Sequence, residues 1–120
     1  MDEMDKQLKK GVLEIIILKI LEEKARYGYE LIRELSITSE GYFDMKEGTL
    51  YPILYRLNSK GLIENYWGNE ENGAARRKYY LLTEVGRREL RRSVSKWQNL
   101  VEAVNLIINV EKNEGDFQNG

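Results

Sequence analysis

The apolar positions between Leu8 and Leu21 fall almost all round a helix. Val12, Leu13, Ile15, Ile16, Ile17, Leu18, Ile20 and Leu21 leave only a narrow polar face. A helix of this kind must be covered on two sides, and in a chain of 120 residues a partner subunit is the natural second cover. Residues 1–7 are polar and read as a flexible, frayed N-terminus. After the polar break Glu22-Glu23-Lys24, the segment from Tyr27 to Ile37 carries Gly28, Leu31, Ile32 and Leu35 at helical spacing. This predicts a second helix packed by one face, with Gly28 where two helices approach closely. Thr38 to Met45, centred on Gly41, reads as a loop.

A third helix is predicted from near Glu47 to Gly61, the glycine serving as its C-terminal stop. Pro52 fits it in one of two ways. Either the regular helix begins near Thr49, with Thr49 as its cap, or the first turn is kinked. Leu62 to Trp67 and Lys78 to Leu82 are aromatic-rich and branched, as in strands. They are joined by a polar loop containing the hairpin dipeptide Asn72-Gly73. Thr83 caps a last helix whose residues Leu90, Val94, Trp97, Val101, Val104 and Ile108 are spaced 4, 3, 4, 3, 4. That heptad seam, widened by Leu100 and Ile107, exceeds what a small domain covers and predicts self-association. The expected interface comprises the seam together with Val12 and Ile16 of the first helix.

The order of elements predicts a mainly α fold with a small β-hairpin, a winged helix-turn-helix with a C-terminal dimerisation helix. Its parts are a DNA-binding domain over 8–82, the dimerisation helix over 83–110 and a flexible acidic tail over 111–120.

Composition narrows the chemistry. Cysteine and histidine are both absent, which excludes disulfides, thiolate or imidazole metal sites, and catalysis by a His- or Cys-based nucleophile pair. No catalytic residues, metal site or cofactor are expected. The longest aliphatic run, Ile15 to Leu18, is four residues, far short of the roughly 20 that a membrane span needs. A cytoplasmic, non-membrane protein is expected.

The net charge of −1 hides a strong local asymmetry. Between Arg76 and Lys96 stand eight cations and two acids, a local balance of +6. A charge run taken alone is more often a solvated helix face. Phosphate attraction, however, depends on the field within about 8–10 Å of the surface rather than on the chain total.

On the third helix Leu50, Ile53, Leu54 and Leu57 share one face and belong to the core. The opposite face carries Gly48, Pro52, Tyr55 and Ser59, flanked by Thr49, Tyr51 and Arg56, with Lys46 just ahead. Thr49, Tyr51 and Ser59 can donate to phosphate oxygens, while Tyr55 and Arg56 can reach base edges. In the hairpin, Asn72 and Gly73 form the tip, and Arg76, Arg77 and Lys78 form a cation cluster at its foot. The partner expected is double-stranded DNA. Two recognition helices about 34 Å apart in a symmetric dimer would read an inverted-repeat operator. The competing reading is a winged-helix module whose basic face meets an acidic protein without DNA specificity.

The chain resembles the PadR-type transcriptional regulators. The resemblance is carried by Tyr27-Gly28-Tyr29-Glu30-Leu31, by Glu47 to Leu57 (EGTLYPILYRL), by Gly61-Leu62-Ile63 and by Arg76 to Arg87 (RRKYYLLTEVGR), and it spans residues 8 to about 108. A departure is Ala74-Ala75, where many members carry Gly or Gly-Pro before the arginines. The length places the chain with the short branch that has a single C-terminal helix. The resemblance implies a homodimeric repressor released from DNA by an effector. In drug-sensing members, a tryptophan of the dimerisation helix and its symmetry mate stack planar aromatic ligands. Trp97 matches that position, Ile15 and Lys19 match pocket positions of the first helix, and Val101 stands where such a pocket can carry an acid.

Overall fold

The computed structural model describes residues 3–69, 73 and 75–109. It runs α1 (Glu3–Lys9), α2 (Val12–Glu23), β1 (Arg26–Tyr27), α3 (Gly28–Thr38), α4 (Glu47–Ser59), β2 (Ile63–Trp67), β3 (Lys78–Leu82) and α5 (Glu84–Ile108). The expected acidic tail and the last residue of the expected dimerisation helix, Val110, lie outside the described residues. The core is the one the apolar pattern requires. Ile17, Leu18 and Leu21 of α2, Leu31 and Leu35 of α3, the α4 face Leu50, Ile53, Leu54 and Leu57, and Ile63, Tyr80 and Leu90 are all buried.

Two expectations need correction, and one of the two readings of Pro52 is excluded. The N-terminal segment is helical over Glu3–Lys9 rather than frayed, and it breaks from α2 at Lys10-Gly11. The sheet has three strands, not two. Arg26–Tyr27 pairs antiparallel with Tyr80–Tyr79, giving the order β1-β3-β2. A two-residue strand leaves too short a pattern to be seen as alternation. Tyr27 accordingly stands outside the second helix with extended backbone, and the Glu30 carboxylate accepts its N–H at 3.2 Å. Thr49 is not the cap of α4, because the helix already begins at Glu47 behind Lys46, whose carbonyl accepts from both Thr49 and Leu50. Pro52 therefore lies in the second turn, where its missing N–H leaves the Gly48 carbonyl without its usual donor. Gly48 is exposed, so water can satisfy that oxygen.

The junction between wing and last helix is tightly drawn. Gly61 sits at φ +75°, a left-handed value that favours glycine. Thr83 Oγ1 donates to the Gly61 carbonyl at 2.7 Å and accepts the Gly86 N–H at 2.9 Å, capping α5. Gly86 is buried against the Leu62 carbonyl, with no room for a β-carbon. These contacts fix the direction of α5, which then runs clear of the domain, giving extents of 68 × 29 × 24 Å.

Candidate nucleic-acid interface

The α4 helix separates its two faces cleanly. With the four leucine and isoleucine positions anchored in the core, Gly48, Thr49, Tyr51, Pro52, Tyr55, Arg56 and Ser59 are all exposed, as is Lys46 at the N-cap. Tyr55 stands well out, at 76% exposure. Tyr51 leans back on α3, its hydroxyl against Gly28, so the close approach expected at Gly28 is between a glycine and this ring. Burial pushes the Tyr80 hydroxyl above its ordinary pKa, and the neighbouring Tyr51 adds to that shift. Arg56 is already partnered, its Nε lying 3.4 Å from Glu14 of α2. Exposed pairs of this kind are worth only about 0–1 kcal/mol, so the guanidinium can exchange Glu14 for a base edge or a phosphate.

The wing presents its cations on aromatic supports that the sequence pattern did not reveal. Tyr27, Tyr79 and Tyr66 form a row across the three strands, with centroids 5.6 Å and 5.5 Å apart. The Arg77 guanidinium lies 4.5 Å from the Tyr27 centroid. Arg76 stacks 5.7 Å from Trp67 and donates to the Gly68 carbonyl at 3.2 Å, and Lys78 stands 5.8 Å from the same indole. The cluster is thus a braced set of cations at the foot of the hairpin. Asn72 lies outside the described residues, and Gly73 occupies a turn at φ +76°. The signal that could have exposed the supports is the cross-strand register, which places Trp67 opposite Lys78 and Tyr66 opposite Tyr79.

The other residues singled out divide between core and surface. Leu90 is 2% exposed and belongs to the core of its own subunit, so the seam open to a partner begins at Val94 rather than at Leu90. The first two turns of α5 pack on α2 before the helix leaves the domain, which removes Leu90 from the surface. Beyond it Trp97, Leu100, Val104, Ile107 and Ile108 are exposed, Val101 is half-buried, and Val12 and Ile16 of α2 are only half-covered. Trp97 and Val101 line an open groove along α5 with Gln98, Glu102, Asn105 and Leu106. Ile15 lines a different hollow, between α2 and the start of α5, and Lys19 is engaged with Glu22 at 2.7 Å. Among the described residues no helix is long and apolar enough to cross a membrane.

An exposed helix beside a braced basic hairpin defines a winged helix-turn-helix protein of the DNA-binding class. The chain belongs to the PadR-like family of transcriptional regulators, whose family model it matches over residues 17–92. It is 39% identical over 99 residues to an uncharacterized protein of Lysinibacillus sphaericus, covering 82% of this chain and 90% of that one. It is 36% identical over 76 residues to the Escherichia coli transcriptional regulator YqjI, spanning 34% of that longer protein. Among solved structures, it superposes on a PadR family transcriptional regulator of Eggerthella lenta with a TM-score of 0.78 at 34% identity, over 89% of this chain and 90% of that one. A transcriptional regulator of Clostridium thermocellum gives 0.76 at 31% identity, over 82% and 95%. The protein is therefore a DNA-binding transcriptional regulator and not an enzyme.

Proposed function

We infer that the protein is a cytoplasmic homodimeric repressor that reads an inverted-repeat operator and is released from it by a small planar aromatic effector. The observation that carries the dimer is the α5 seam. From Trp97 to Ile108 it leaves five large apolar side chains at least 39% exposed, on a helix that projects away from its own core. Isolated apolar residues are ordinary on surfaces, but a contiguous stripe of this length calls for a cover. The half-covered Val12 and Ile16 of a second copy offer an isologous one. In such a dimer α4 of each subunit enters a major groove, with Tyr55 and Arg56 toward base edges. Lys46, Thr49, Ser59, Arg76, Arg77 and Lys78 hold phosphates.

The effector reading rests on Trp97. Across a two-fold axis two such indoles, with Val101 beside them and Ile15 and Lys19 supplied by α2, would bound a flat slot between the DNA-reading domains. A coupling of about 1–3 kcal/mol between slot and operator suffices for a useful response. The test is footprinting on the DNA upstream of the protein's own gene, with and without planar aromatic compounds. Paired protections about one helical turn apart, lost on adding compound, are expected. Absence of any protected site at low salt would refute the operator reading.

A further inference from the structure

The N-terminal helix α1 forms one wall of a hollow of about 760 Å³ whose other walls are the Tyr42–Met45 loop and the first turns of α4. Its charged lining is Lys6, Lys9, Lys10, Lys46 and Arg56 against one carboxylate, Asp44. Asp44 is taken by Lys46 at 3.5 Å, and Arg56 turns to Glu14. Among the described side chains no carboxylate lies within 4.0 Å of the amines of Lys6, Lys9 or Lys10. Three like charges within five residues repel one another and gain from a polyanion that runs past all of them.

The arrangement is held rather than splayed. Lys9 is half-buried, its Nζ 4.6 Å from the Tyr42 centroid and 5.5 Å from that of Phe43, and those rings meet edge to face at 5.1 Å. Such contacts orient an ammonium without neutralising it. Lys6 and Lys10 are one helical turn apart, on the same side as Lys9. Gly48, Thr49 and Pro52, from the outer face of α4, line the same hollow. The cationic wall is therefore continuous with the surface that faces DNA.

The geometry points to a phosphate cradle: the sugar–phosphate strand bordering the groove that α4 enters passes over this hollow, and Lys6, Lys9 and Lys10 neutralise its phosphates. The inference rests on the DNA-binding reading and extends the contact beyond the recognition helix and the wing. A compact ammonium on a flexible stem holds phosphate as a point charge. The cradle therefore sets affinity and footprint length, not sequence preference.

The test uses the full chain and its own upstream DNA, with binding followed by fluorescence anisotropy across a salt series. The variant Lys6→Gln/Lys9→Gln/Lys10→Gln removes three cations from each subunit and should lose about five units of the log–log salt slope of the dimer. Its preference for operator over scrambled DNA should be unchanged, and ethylation interference should vanish at the outer phosphates of each half-site. The charge-preserving variant Lys6→Arg/Lys9→Arg/Lys10→Arg should restore the slope, which separates lost charge from lost folding. A wild type that binds and a glutamine variant with an unaltered slope overturn the cradle alone. Failure of arginine to restore the slope also overturns it. A wild type that binds no DNA overturns the DNA reading and the cradle with it.

Discussion

The guanidinium carbon of Arg77 sits 4.5 Å from the centroid of the Tyr27 ring, tying the foot of the wing to the short strand that opens α3. Tyr27 meets Tyr79 edge to face at 5.6 Å on its other side, so the support is itself braced. A cation–π contact at an exposed site is worth about 0.5–1 kcal/mol. Tyr27→Leu should therefore weaken DNA binding about two- to fivefold, whereas Tyr27→Phe, which keeps the ring, should bind like the wild type. Anisotropy titrations of the two variants check this. Equal weakening by both would show that the hydroxyl, not the ring, carries the effect.

Gly86 makes a sharper structural prediction. An added β-carbon there collides with the Leu62 carbonyl oxygen and comes within 2.8 Å of a Leu82 methyl. The first obstacle is backbone and cannot rotate away, so Gly86→Ala should cost about 3 kcal/mol. Gly11→Ala, where nothing lies within 4 Å, should change stability by no more than about 0.5 kcal/mol. Urea melts of both proteins decide it. A Gly86→Ala protein as stable as the wild type would mean that α5 is not seated against the start of β2.

Much of this was legible in the chain, and the reasons for the exceptions are specific. Helical periodicity located α3, the core face of α4 and the long α5, because each repeats an apolar spacing over several turns, and the aromatic and branched residues either side of a turn-forming loop located the strand pair β2–β3. The strand β1 escaped because two residues cannot display a period, and its partner β3 is distant in sequence. The helicity of Glu3–Lys9 escaped because its polar composition matches a frayed end equally well, and Lys6 and Lys9 acquire meaning only from the nearby loop. The start of α4 near Glu47 was legible, but the place of Pro52 was not, because a preference of proline for the first turn is overridden here by core packing of Leu50, Ile53 and Leu54. Leu90 was assigned to the subunit interface because a heptad seam does not say where its own domain ends.

The seam carries its own prediction. Val104 is 40% exposed, with exposed Leu100, Ile107 and Ile108 around it. If a second copy covers this stripe, Val104→Glu buries an unpaired carboxylate and should weaken the dimer by about 3–5 kcal/mol. The single chain should still fold, since Val104 is outside its core. Sedimentation velocity should show a micromolar dimer for the wild type and a folded monomer for the variant. A wild-type monomer at that concentration would sink the dimer.

Acid sensitivity should report on the contact between α2 and α5. The hydrogen bond from Lys19, with the charges of Lys19, Arg87 and Arg91, holds the Glu22 carboxyl below its ordinary pKa of 4.5. Arg87 Nη1 reaches it from α5 at 3.7 Å. A carboxyl depressed by folding adds stability above its unfolded pKa, and that stability is lost as pH falls through the folded value. The wild type should therefore lose stability below about pH 4.5 more steeply than Glu22→Gln. Thermal melts between pH 3 and 6 test this. Identical acid limbs would assign no role to Glu22.

Trp97 decides whether the dimer senses aromatic compounds. It is 39% exposed at the head of the uncovered seam and lines the α5 groove with Val101. A tryptophan there can simply pack against the second subunit, and the two roles make different predictions. If the indoles leave a slot, a planar aromatic compound stacks between them, a contact worth about 0.5–1.5 kcal/mol beyond area burial. Its binding should then quench Trp97 emission and lower operator affinity in proportion. The other tryptophan, Trp67, lies on the wing beside Arg76 and serves as an internal reference. In Trp97→Ala the ligand-dependent quenching and the release of DNA should both disappear, while Trp97→Phe, which keeps a smaller ring, should retain part of each. Equal quenching in the wild type and in Trp97→Ala would place the ligand elsewhere and leave Trp97 as a packing residue.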